Sequence, residues 1–578
     1  MKSAHKHKFI KCFKLPCFCL TPLLLLPIKT GVVEAKASSN SLTGDIKITI
    51  VNKGYGTNWL HVIADSYTEQ FPGCSINISE TTEETAVAAK IKTTANDSDL
   101  VISTGNFFNE QYEGYLVDLT DLYESVQDGY DKPLKERMNK SIRDFYEDKQ
   151  NHFYQIPWIF GKSGLLCNKT VVNQTLGNDV VFPRTTNELV SFCQNLKDHG
   201  VYPFSMSTSV PYWQGFMVSL YYQYQGPEEY NNFYKGYYKK DGHFQMATEE
   251  NYEEYLRSQI GVRKAADIVY DLIATKQFAH PKSDYMNFME SQAAFCGLGY
   301  GDDKTKCALM FNGSWFAQEC SNYMQLSGDE IIFLTNPVMS SIVERLENQS
   351  LTDSELSAIV DSIDHGATSY PGLSDNDFNR IKSARYSSTC SAAQHSIVIP
   401  KIKNGQNKTD LTKQFLNYMF SLEGQELFSY SLDGLIMPFG YNPIGLYDSF
   451  ENSILESMGD IDEFAMISEG KNSPLYYVGG LDIIIGYYEG DAFNKTRNPE
   501  QYVEFCVERS LTTKAKVLPL IVEEDFSISY KIGPTVIILL SCLGGFLLLF
   551  TAFVFVYPIL NKKKLLRIKH LEEIYEKK

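Results

Sequence analysis

Between Ile46 and Ser103 the chain alternates between two hydrophobic periods, and this alternation restricts the fold more than any other feature. Ile46-Lys47-Ile48-Thr49-Ile50 has the period of two of a half-buried strand, whereas Asn58–Phe71 carries apolar residues at helical spacing and stops at Pro72-Gly73. Ser75–Ser79 reads as a second strand, Glu83–Thr94 as a second helix, and Asp99-Leu100-Val101-Ile102-Ser103 as a strand buried on both faces. Strands joined by helices at this pace lie parallel, which predicts an α/β unit. In such sheets ligands collect where strand C-termini open into loops. Those loops are Asn52–Gly56, Glu80–Glu84 and Ser103–Asn106, so Asn52, Tyr55, Glu80, Ser103 and Asn106 are binding candidates by position.

The later chain keeps the style without repeating the sequence. Thr185–His199 reads as a helix capped by Thr185/Thr186 with Glu188 in its first turn, leading to a strand at Tyr202–Ser205. Glu253–Thr275 and Leu411–Tyr430 each read as one long helix, and Ser350–Arg385 as a helical insert. Cys307–Phe311 is a strand that runs into Asn312-Gly313-Ser314-Trp315, and Ser396–Ile399 is a strand ending at Pro400. The tyrosine-rich stretches Tyr221-Tyr222-Gln223-Tyr224 and Tyr234–Tyr238 read as packing residues.

Charge and the two ends bound the setting. The formal charge is −17, and lysines crowd both termini, so the middle is more acidic still. Such a body repels polyphosphates, which excludes a nucleic-acid partner. A basic stretch, the run Leu23-Leu24-Leu25-Leu26 and Ala35-Lys36-Ala37 form a signal peptide over 1–37. Val536–Leu560 holds 25 residues without a charge, about 37 Å as a helix, and Lys562-Lys563-Lys564 follow at once. This predicts a single transmembrane helix over 534–560 with a short cytoplasmic tail, 561–578, and the large N-terminal part outside the plasma membrane.

Eight cysteines fall between these ends, and Cys296 with Cys307, which bracket a Gly/Asp-rich loop, are the expected local disulfide. Asn-x-Ser/Thr sequons start at Asn77, Asn96, Asn139, Asn168, Asn173, Asn312, Asn348, Asn407 and Asn494, which predicts a glycoprotein.

Read in order, a series of landmarks resembles the extracellular solute-binding proteins of ABC importers, the maltodextrin-binding-like, type II periplasmic group. They are Ile46–Asn52, Leu60–Pro72, Asp99–Ser103, Gly114–Asp121, Tyr154-Gln155-Ile156-Pro157-Trp158, Leu166-Cys167-Asn168-Lys169, Pro183–Leu189, Met310–Trp315, Ser396–Lys401, and Phe415–Phe428 leading to Gly434–Pro438. The resemblance implies an α/β, two-lobe fold with a hinge and a central cleft, here with one C-terminal transmembrane helix added. Lobe one is expected over 45–157 completed by 394–436, and lobe two over 161–390 completed by about 440–520. A ligand would close the cleft by hinge motion.

A sugar site mixes aromatic faces with hydroxyl-binding groups. Trp315, at a strand end where the resembling family often presents an aromatic, is the first candidate. Trp158 at the expected hinge, Trp213 beside Tyr212, and Asn312 follow; Trp59 reads as core, and a glycan on Asn312 would block a cleft role. Enzyme readings fail. Gly161-Lys162-Ser163 lacks the glycine that a phosphate loop needs where Ile156 stands, no His-Glu-x-x-His or Gly-x-Ser-x-Gly occurs, and no cofactor or metal is implied. The expected function is capture of a small solute, a sugar or oligosaccharide, for uptake through an ABC-type permease or for sensing. The alternatives are a surface adhesion or ligand-sensing protein and a surface glycosidase.

Overall fold

The computed structural model describes residues 42–523 apart from 108–111, 113, 149, 208–211, 299–305, 402–405, 433–434, 441–448, 460–462 and 469–487. Both the expected signal peptide over 1–37 and the expected transmembrane helix over 534–560 lie outside these residues. Among the described residues no helix is long and apolar enough to cross a membrane.

Two mixed sheets organise the chain. The first begins with β1 (Gly44–Val51), α1 (Asn58–Gln70), β2 (Cys74–Thr81), α2 (Glu84–Ile91) and β3 (Leu100–Ile102). β1 pairs in parallel with both β2 and β3, as the alternating periods require. A short β4 (Ile156–Pro157) and the distant β9 (Ser396–Val398) complete it in the order β2-β1-β3-β9-β4, with β9 antiparallel to both neighbours. β3 is buried along its whole length because it lies third in this sheet and is covered on both faces.

The second sheet, β8-β5-β7-β6, is built from β5 (Ser163–Asn168), β6 (Tyr202–Ser205), β7 (Cys307–Gly313) and β8 (Ile331–Leu334). α3 (Thr186–Asp198) precedes β6 and starts on the expected capping box: Glu188 N–H donates to Thr185 Oγ1 at 3.2 Å, and Thr185 N–H donates to Glu188 Oε2 at 3.3 Å. α4 (Tyr212–Gln225) is buried over most of its length and carries the first tyrosine cluster into the core of this lobe, so these tyrosines pack.

Two helices expected as single are broken. The stretch 253–275 divides into Tyr252–Arg257, Ile260–Tyr270 and a π turn at Asp271–Thr275. Gln259, whose backbone leaves the helical region, turns inward to accept from the Tyr221 hydroxyl at 2.6 Å, and the Gly261 backbone lies against the Tyr221 ring. The stretch 411–430 is divided at Ser421, whose Oγ accepts from Gly424 N–H at 3.2 Å and so starts a new helix.

The expected Cys296–Cys307 disulfide is not formed. Among the described residues the eight cysteines are buried and none is in a disulfide. Cys296 follows helix α5 (Phe288–Phe295), Cys307 opens β7, and both lie in an apolar cluster with Phe295, Phe316 and Cys320. Burial pushes the Cys296 thiol up to about 12, away from the reactive thiolate. Four sequons also meet a packing obstacle: Asn96, Asn139, Asn168 and Asn312 are buried. Asn139 and Asn168 cap helices with their side chains, whereas Asn77 and Asn494 are exposed.

Candidate functional site

The chain passes between the sheets at Trp158–Ser163 and again at Thr389–His395, and the two passages are stitched together. Ser391 N–H donates to Gly161 O at 2.7 Å, and Gly161 N–H donates to Ser391 Oγ at 2.7 Å. Lys162 and Ser314 exchange two further bonds, at 2.9 and 3.1 Å. The Lys162 amine is turned inward, onto the backbone carbonyl and hydroxyl of Ser457, and burial lowers it to about 7. It therefore faces no phosphate.

Beside this crossing lies a cavity of about 490 Å³, within the range of about 300–1,000 Å³ typical of small-ligand sites. The lobe with the first sheet lines it with Lys53, Tyr55, Glu84 and Thr104; the other lobe contributes Ser163, Tyr212, Trp315 and Glu319; the second crossing adds Ser391 and His395. The local sequence explains the placement. Tyr55 sits in the loop after β1, Glu84 opens α2, and Trp315 and Glu319 stand one turn apart at the start of α6 (Phe316–Ser327). The Gly313 backbone makes room for the indole, since a Cβ there would come within 2.3 Å of Trp315 Cη2.

Of the ten positions singled out in the sequence, the structure brings Trp315, Tyr212 and Tyr55 to the cavity. The Tyr212 and Trp315 rings stand 5.8 Å apart. Trp158 belongs to the core instead: it stacks on Trp59 at 5.0 Å and its Nε1 donates to Ser103 O at 2.9 Å. Trp213 is buried against Phe311 at 3.9 Å, since the residue after Tyr212 is turned about 100° around α4. Asn312 is buried in β7, where its Oδ1 accepts from Gly313 N–H at 2.8 Å. Asn52 and Glu80 meet each other at 3.4 Å on the outer strand ends, where Thr57 and His61 also hold Glu80 and lower its carboxyl. Ser103 is buried behind the lining and reaches Glu84 Oε1 at 3.3 Å; Asn106, half-buried, is not among the lining residues.

Sequence reasoning missed Glu319, His395, Ser391, Lys53 and Glu84. The last two stand in loops already marked by strand-end position, and Glu319 follows Trp315 by four residues, a spacing that puts both on one helix face. Nothing local marks Ser391 and His395. Burial holds the His395 imidazole down to about 4, so it is neutral, with Nδ1 2.8 Å from Ser391 O. Burial raises the Glu319 carboxyl, against the hydrogen bonds from Gln292 and Tyr212. Among the described residues no group of His, Cys, Asp and Glu is placed to hold a metal ion.

Residues 53–333 match the family model of the bacterial extracellular solute-binding proteins. Solved structures extend the likeness past that stretch. A chitin oligosaccharide binding protein superposes with a TM-score of 0.52 at 14% identity, covering 82% of this chain and 99% of its own. The bacterial solute receptor AcbH, described as preferring β-D-galactopyranose, gives 0.52 at 12% identity, covering 82% and 98%. A family 1 extracellular solute-binding protein from Bifidobacterium longum subsp. infantis gives 0.51 at 12% identity, covering 81% and 99%. The chain has the solute-binding-protein fold. No curated protein matches it in sequence. The matched family is one of binding proteins, not enzymes, as the failed enzyme motifs led us to expect. The two sheets thus correspond to the two lobes of the solute-binding-protein fold, and the cavity lies where the chain crosses between them.

Proposed function

We propose that this chain is an extracellular receptor that captures a carbohydrate between its lobes without transforming it. The observation that carries this reading is the composition of the cavity lining. Aromatic side chains from both lobes, Tyr55 on one side and Tyr212 with Trp315 on the other, stand among Ser391, Thr104, Glu84 and Glu319, which can exchange hydrogen bonds with hydroxyls. The chitin oligosaccharide and β-D-galactopyranose binders that share the fold support the same ligand class. The signal peptide over 1–37 and the uncharged stretch 536–560 would hold the receptor outside the plasma membrane by one helix, with delivery to a membrane permease or sensing as its use.

Thermal-shift screening of the purified protein against saccharides, peptides and metal salts tests the reading. A saccharide present at about 100 times its Kd adds about 2.7 kcal/mol to stability and raises Tm. A shift with peptides alone, or with no saccharide at all, removes the carbohydrate reading.

A further inference from the structure

Charge is unevenly settled around the cavity. Lys53 pairs with Glu84, and His395 is kept neutral by burial. Glu319 has only neutral partners: Gln292 Nε2 donates to its Oε2 at 2.9 Å, and the Tyr212 hydroxyl reaches the same carboxyl. Among the described residues no lysine or arginine acts on it. Tyr55, Tyr212 and Trp315 line the same cavity, and burial first, with the Glu319 charge second, pushes both tyrosine hydroxyls up. A Cβ on Gly54 would lie 3.3 Å from Glu319 Oε1, so the carboxylate stands where the lobes meet. An anion bordered by three aromatic side chains is complementary to a cation, because a ring quadrupole and a carboxylate attract the same charge.

We propose that the guest carries a protonated amine which pairs with Glu319, so that the receptor selects a saccharide with free amino groups over neutral and anionic ones. This rests on the carbohydrate reading above. An anionic sugar would face Glu319 with Lys53 already engaged, and a neutral one would leave the carboxylate uncompensated in a closed cleft.

The test compares one oligosaccharide in two forms, a chitin oligosaccharide and its fully deacetylated counterpart, by calorimetry on the purified protein at neutral pH. The deacetylated form should bind about tenfold tighter or better. Glu319→Gln should abolish that preference by weakening the deacetylated form at least tenfold more than the acetylated form, with an unchanged unfolding midpoint of the free protein showing that the variant is folded. On the unaltered protein, raising salt from about 50 to about 500 mM should weaken the deacetylated form and leave the acetylated form nearly unchanged. Equal affinities for the two forms, or a preference that survives Glu319→Gln, overturn the amine inference and leave the carbohydrate reading in place. Binding of tetramethylammonium or spermidine lost in Glu319→Gln, with no saccharide bound, keeps the cation site and ends the carbohydrate reading. No binding of any of these probes ends both.

Discussion

On one wall of the cleft Lys53 and Glu84 neutralise one another at a half-exposed surface, whereas on the facing wall Glu319 is exposed to the cleft and has only amide and hydroxyl partners. The backing differs as well. Tyr55 rests edge-on against Trp158 and His395, at 5.8 and 5.2 Å, and Trp158 in turn stacks on Trp59, so this wall is a continuation of the lobe-one core. Trp315 is held by Tyr212 and by the space above Gly313, at the surface of its lobe. One wall is therefore a charge-balanced support, and the other carries the half-buried indole and the unbalanced charge.

The largest expected effect attacks the backing of the first wall. Trp158→Ala should cost about 3–5 kcal/mol in urea unfolding, the range for deleting a buried tryptophan. A loss under about 1 kcal/mol would mean that the Trp59–Trp158 stack does not support this wall.

Next is the pH dependence of the same wall. His395 titrates near 4 when folded and near 6.5 when unfolded, so the unfolded chain binds the proton more readily between these values. Its contribution is fully present above about pH 6.5 and falls away as pH drops toward 4, by about 3 kcal/mol in all. Unfolding free energies at neutral pH and near pH 4.5 should differ less in His395→Gln than in the parent; an equal difference in both removes the assignment.

On the opposite wall, Gly313→Ala should displace the Trp315 indole, costing about 1–3 kcal/mol by overpacking and weakening any saccharide that stacks there. Calorimetry and unfolding of the same variant decide between a shifted ring and a tolerated methyl. The smallest effect is expected for Lys53→Ala. Its pair with Glu84 is part-exposed, so stability should change by under about 1 kcal/mol and by less in high salt. A loss of several kcal/mol would show that the first wall relies on this pair.

The disagreements between sequence and structure concentrate where distant segments meet. Helices ran on through 253–275 and 411–430 in the sequence because their hydrophobic spacing does not lapse there, but Tyr221 and Ser421 decide otherwise. The candidate list failed in a similar way. Asn52 and Glu80 are strand-end residues like Tyr55, yet their side chains bond each other outside the cavity. Trp213 is adjacent to Tyr212, and one step along the helix turns it from the cleft into the core.

What the sequence determined by itself is the part set by local periodicity and capping. The strands and helices between Gly44 and Ile102, the Thr185/Glu188 helix start and the landmark order that resembles solute-binding proteins all follow from residues near one another in the chain. Only the tertiary structure decided which side chains share the cleft. Lys53, Glu84, Glu319 and His395 come from four separate segments, and β9 returns from residue 396 to lie between β3 and β4. The reason is physical: hydrogen-bond spacing and hydrophobic period act over a few residues, whereas a binding site is set by how two folded lobes face each other.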